Sequence, residues 1–161
     1  MSAREIDEYL EGVEEPKRTT LARLRQALPA GDQPRATAAD GPADLAGRVR
    51  ASCAALPEVT ERLSHGAPTW FVRGKRAFVT LWADGHHDND FPHLWCAAPP
   101  GAQQELAAAE PARFFRPPYV GGRGWIGVRL DRDPDWDEIA ELCRDAYRAI
   151  APARLTALLD R

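Results

Sequence analysis

Cysteine is scarce in this 161-residue chain. Cys53, Cys96 and Cys143 stand far apart, are odd in number and form no C-x-x-C pair. That leaves no disulfide framework to build on, and the plain reading is reduced thiols serving as small core residues. Long hydrophobic runs are missing as well. None approaches the roughly 20 residues of a membrane helix, so no membrane partner is expected. The opening "MSAREIDEYL" carries acids where a signal peptide would have an apolar stretch, which predicts a cytoplasmic protein. Neither sign of charge dominates: 21 Lys and Arg face 24 Asp and Glu, for a net charge of −3. Such a balance does not attract a polyanion by itself, and nucleic-acid contact would need a local basic patch.

Catalytic signatures are absent too. There is no G-x-S-x-G elbow and no H-E-x-x-H helix, and nothing sets a base beside a cysteine. The expectation is a non-enzymatic binding module with no catalytic residues and no cofactor. "HHDNDFPH" offers His86, His87, Asp88, Asp90 and His93, but adjacent histidines in one polar loop are a poor zinc pattern. A surface loop without metal is expected there.

What is present is an ordinary globular composition, 44% hydrophobic and 28% charged. Residues 1–28 read as a helical extension: Ile6, Tyr9, Leu10 and Val13 form one stripe, and Leu21, Leu24 and Leu28 a second after Pro16. Residues 29–43, rich in Pro and Gly, read as a linker. A domain over 44–161 follows. Asp44 is a good N-cap for a helix over 44–55 that stops before Pro57. β-Branched and aromatic residues predict strands at 69–73 and 76–82, joined by a type II′ turn at Gly74-Lys75. Further strands are expected at 93–98 and 125–130, with a short helix between them ended by Pro111. A long helix is expected over 135–150, with Trp136, Ile139, Cys143, Tyr147 and Ile150 in its stripe. The order predicts a two-layer α+β domain, an antiparallel sheet with helices on one face.

Four stretches in this order resemble the MmcQ/YjbR-like family: "ALPEVTER", "GAPTWFVRGKRAFVTLW", "FFRPPYVGGRGWIGVRLD" and "DWDEIAELCRDAYRAIAP". The resemblance covers about residues 44–155. It implies a two-layer domain with an antiparallel sheet, described for that family as a DNA-binding "double wing". The first helices resemble the start of YdhG-like (DUF1801) proteins, whose remaining pattern is missing.

Two constellations follow. "RPPYVGGRGWIGVRL" has clustered glycines and arginines, yet they precede a strand and so do not form a P-loop. They either turn the chain or form a loop in which Arg116 and Arg123 meet an anion. The tip "VRGKR" projects Arg73, Lys75 and Arg76, which suits a phosphate backbone but also suits a solvated hairpin end. Double-stranded DNA contacted through Arg73, Lys75, Arg76, Arg116 and Arg123 is therefore one expectation, with Arg113 on the same side. The alternative is a small aromatic ligand or a protein partner on a sheet face lined by Trp70, Trp82, Trp95, Tyr119 and Trp125.

Overall fold

A computed structural model describes residues 42–86 and 89–159. The helical extension at 1–28, most of the linker, and His87 and Asp88 of the histidine loop lie outside the described residues. Helix α1 (Pro42–Ala54) starts two residues ahead of the Asp44 cap anticipated for it. Proline's fixed φ and missing N–H suit the first turn of a helix. The strands are β1 (Val59–Ser64), β2 (Ala67–Val72), β3 (Arg76–Trp82), β4 (His93–Cys96), β5 (Phe114–Phe115) and β6 (Ile126–Arg129). Helix α2 (Ala102–Ala109) separates β4 from β5. Helices α3 (Trp136–Ile150) and α4 (Ala153–Leu159) close the chain.

The strands form one antiparallel sheet in the order β1-β2-β3-β4-β6-β5. The fold is α+β, with α1 and α3 packed together on one face. β1 and β5 are additions to the expected set. β1 is an edge strand whose central residues are exposed, Leu63 to 70%, so its sequence shows no buried stripe. β5 is two residues long and is defined by its partner: Phe114 pairs with Val128 and Phe115 with Gly127.

The core between sheet and helices is apolar and closed. Phe78 meets Tyr147 edge to face at 5.6 Å. The Tyr147 hydroxyl donates to the Pro57 carbonyl at 2.7 Å, tying α3 to the α1–β1 connection. Cys53 of α1, Cys96 of β4 and Cys143 of α3 are all buried and lie together here, and burial pushes the Cys53 and Cys96 thiols well above their usual range. The scattered cysteines of the sequence thus come together as core residues. Asp135 caps α3, its carboxylate accepting the Asp137 N–H at 2.9 Å.

The β2–β3 turn differs from the expected one. Val72 accepts from the Lys75 N–H at 3.1 Å, and the two central residues, Arg73 and Gly74, have φ of 56° and 71°. Two positive φ values in succession are type I′ character, centred on Arg73-Gly74 instead of a type II′ turn at Gly74-Lys75. Type I′ matches the right-handed twist of the strands, and the tertiary fold holds Arg73 in the left-handed region that Gly74 adopts freely.

Candidate functional site

Strand direction decides which loops share an end. β3 and β6 each pair antiparallel with β4, so they run the same way: Val79 and Ile126 both sit opposite Cys96. The hairpin turn before β3 and the 116–125 loop before β6 therefore emerge at the same end of the sheet, two strand spacings or about 10 Å apart. Arg73, Lys75 and Arg76 are exposed in the first, Arg116 and Arg123 in the second. All five basic residues singled out in the sequence thus lie at one end.

The 116–125 loop has a defined internal build. Tyr119 has φ 63° and ψ −63°, and the Val120 N–H donates to the Pro118 carbonyl at 2.6 Å, a strained three-residue turn. A single 3-10 turn (Val120–Arg123) follows, and Gly124, at φ 83°, turns the chain into β6. The Arg116 side chain lies across Gly121, where an added Cβ would come within 2.9 Å of it. Gln103, buried on α2, donates to the carbonyls of Gly121 and Trp125 at 2.9 and 2.6 Å and clasps the loop from below.

The hairpin has its own groove of about 200 Å³, lined by Val72, Arg73, Lys75, Arg76 and Pro152. Glu58 sits beside it, 3.6 Å from Arg73 and 3.4 Å from Arg154. Glu58 is the single carboxylate in the described loops that leave the sheet at this end, residues 55–58, 73–75, 97–101, 116–125 and 151–152. At the opposite end the described residues of the 83–92 and 130–135 loops carry Asp84, Asp90, Asp131, Asp133 and Asp135 against one cation, Arg132. Charge is thus polarised along the strands although the whole chain is slightly acidic. Arg113 stands apart from the basic set. It is paired with Glu110 at 3.2 Å and with the buried Glu138 of α3, so its charge is spent inside the domain.

The aromatic residues divide between the two faces of the sheet. Trp70 pairs across to Glu61, which Arg50 of α1 holds at 2.7 Å, so Trp70 belongs to the helix-covered face. It shares no surface with the others. Trp82 and Trp95 point to the opposite face, where their rings pack at 4.9 Å and Trp125 joins them around a cavity. His86 packs tilted against Trp82 at 4.1 Å and meets Tyr119 edge to face at 6.0 Å, linking the 83–92 loop to the 116–125 loop above this cluster. The cavity measures about 20 Å³, room for a water-sized group and far from the space an aromatic ring fills.

His93 lies deeper in the cluster, fully buried, its Nδ1 within 2.8 Å of the Phe91 carbonyl. Burial holds its pKa below the usual histidine range. Among the described residues no group of three or more His, Cys, Asp or Glu side chains could hold a metal ion. No helix among them is long and apolar enough to cross a membrane.

Sequence reasoning passed over Glu58, Gln103, Thr69 and Thr80, which complete these sites. Thr69 and Thr80 stand opposite each other on β2 and β3. Two threonines at alternate strand positions carry the same signal as any half-exposed strand, and only their burial sets them apart.

The YjbR family model matches residues 54–149, and the chain belongs to that family. The match runs from the end of α1 to the last turn of α3, so it takes in the whole sheet. The crystal structure of Deinococcus radiodurans protein DR2400, which carries a DUF419 domain, superposes with a TM-score of 0.56 at 19% identity, covering 77% of this chain and 91% of that one. At that identity the likeness concerns the fold. No curated protein matches the chain.

Proposed function

We propose that this protein is a non-enzymatic module that binds double-stranded DNA by its phosphate backbone, using the basic end of the sheet. The supporting observation is the charge polarity. Five exposed cations, Arg73, Lys75, Arg76, Arg116 and Arg123, share an end with a single loop carboxylate, while five loop aspartates lie at the other. Two loops about 10 Å apart can straddle a phosphate strand as a pair of wings. Among the described residues the five cations stand on turns, loops and a strand end, not along a helix that could read base edges, so binding is expected to be indifferent to sequence.

The test is a fluorescence-anisotropy titration of duplex DNA over a range of salt, starting near ~50 mM. Five phosphate contacts predict a log–log salt slope of about −4 to −5. Arg73→Ala and Arg123→Ala should each weaken binding to all duplexes alike and flatten the slope by about one. Absence of binding at low salt with micromolar protein, or indifference to both substitutions, overturns the reading.

A further inference from the structure

A separate observation concerns the backbone beside the hairpin groove. Arg73 and Glu58 both sit at φ 56°, in the left-handed region. They are joined there, the Arg73 N–H donating to the Glu58 carbonyl at 2.8 Å. Arg73 opens the type I′ turn, a position where Asn meets the same φ at little cost and Asn-Gly is the favoured pair. An arginine at that position breaks a local rule, and backbone strain of this kind gathers at functional sites. What the strain secures is a guanidinium on the groove of about 200 Å³, where Lys75 and Arg76 join it beside Val72 and Pro152. The lining holds three cations and no carboxylate. Glu58, just outside, reaches Arg73 at 3.6 Å and Arg154 at 3.4 Å. Both distances exceed the roughly 2.7–2.9 Å of a tight charged pair, so a more highly charged oxyanion can take Arg73 from it.

We propose that this groove binds a phosphomonoester dianion, the terminal phosphate of a DNA strand or of a small phosphorylated molecule. Its volume is below the ~300–1,000 Å³ of a site for a drug-sized ligand and equals several waters at about 30 Å³ each. That suits one phosphate head group with little of what it is attached to. Charge selects the monoester. Its second pKa is about 6, so near neutral pH it brings close to two negative charges to the three cations, where an internal diester of DNA brings one. The guanidinium groups of Arg73 and Arg76 offer forked pairs of donors to phosphate oxygens, and Lys75 adds a point charge. The groove shares these cations with the proposed duplex surface, and a strand end as the source of the phosphate rests on that reading; the dianion chemistry does not. A ligand of so few heavy atoms binds weakly, with Kd of about 1 mM.

The test titrates methyl phosphate and dimethyl phosphate, at about pH 8 where the monoester is a dianion, into a nitrogen-labelled sample of the full chain. Methyl phosphate should move the backbone amide resonances of Arg73, Gly74, Lys75 and Arg76 along one saturable curve. Dimethyl phosphate should bind roughly ten-fold more weakly, since the second charge meets several cations at once. The amides of Asp84 and Asp133, at the opposite end of the sheet, should stay in place. Arg73→Asn keeps the turn, as Asn-Gly suits type I′. It should weaken methyl phosphate roughly five- to ten-fold while Tm holds or rises, which loss of a residue kept for folding alone would not do. No saturable shift, dimethyl phosphate binding as tightly as methyl phosphate, or unchanged affinity in Arg73→Asn overturns the assignment, even where duplex DNA still binds. Saturable methyl phosphate binding without any duplex binding sustains the groove and overturns the duplex reading instead. Anisotropy with duplexes carrying 5′-phosphate or 5′-hydroxyl ends separates the sources. Several-fold tighter binding of the phosphorylated duplex assigns the strand terminus, and equal binding assigns a small phosphorylated molecule.

Discussion

Single residues carry sharply different burdens here. Gly127 is placed under the Phe115 ring, where a Cβ would come within 2.4–2.6 Å of ring atoms. Gly127→Ala must push that ring away, and an overpacking cost of about 1–3 kcal/mol is expected in thermal or urea unfolding. Adding Phe115→Leu should recover part of it, a coupling that a double-mutant cycle measures. His93 contributes a pH dependence. Its pKa is depressed in the folded state by burial, while the unfolded chain takes a proton near the ordinary histidine value of about 6.5. Below that pH the unfolded state therefore binds more protons, and stability falls with acidification. The contribution is fully present above about pH 6.5 and is lost as pH falls toward the lower folded pKa. In His93→Gln the urea midpoint should depend less on pH between about 6.5 and 5 than in the parent protein.

At the scale of elements, α3 is held by its ends and by one buried ion pair. Asp135→Ala removes the cap on the Asp137 N–H, and a loss of about 1 kcal/mol is expected. The Arg113–Glu138 pair is a larger matter, because Glu138 is 3% exposed and burial raises its pKa despite the guanidinium. Arg113→Met leaves that carboxylate without its cation, at a cost of about 3–5 kcal/mol near neutral pH. Combining it with Glu138→Leu should restore most of the stability in the same unfolding assay, since an apolar pair has no desolvation penalty to offset. Gln103 acts between elements: α2 supports the 116–125 loop through one amide, so the loop's basic residues depend on a helix that carries none of them.

The whole molecule is organised by direction along the strands. Its net charge of −3 conceals a basic end and an acidic end. Glu58 lies in the basic end between Arg73 and Arg154, where a bound phosphate would compete with it. Glu58→Gln should accordingly tighten DNA binding several-fold at low salt and steepen the salt slope by about one, as cations released from the carboxylate take up phosphate. An unchanged slope in the anisotropy titration would separate Glu58 from the binding surface. Because the pair is exposed, little change in unfolding stability is expected alongside.

Much of this architecture is written in local patterns. The period-2 stretches of β3 and β6, the 3.6-period stripe of α3 and the Asp135 cap are properties of short windows, and so is the clustering of arginines and glycines between Arg116 and Gly124. They made the α+β class and the basic loops legible from the amino acids alone. The remainder depends on partners distant in the chain. β5 exists as a strand because β6 lies beside it. The hairpin turns on Arg73-Gly74 because the twist of two paired strands selects it. Trp70 and Trp82 look alike in sequence, yet pleating sends them to opposite faces of the sheet, one toward Glu61 and Arg50 and the other toward the cavity. Arg113 and Arg123 are both arginines near a turn, but one neutralises a carboxylate on α3 and the other reaches solvent. Local sequence determines the period and the turn chemistry; the strand order β4-β6-β5 decides which loops share an end, because only pairing across the sheet brings residue 76 and residue 123 to the same side.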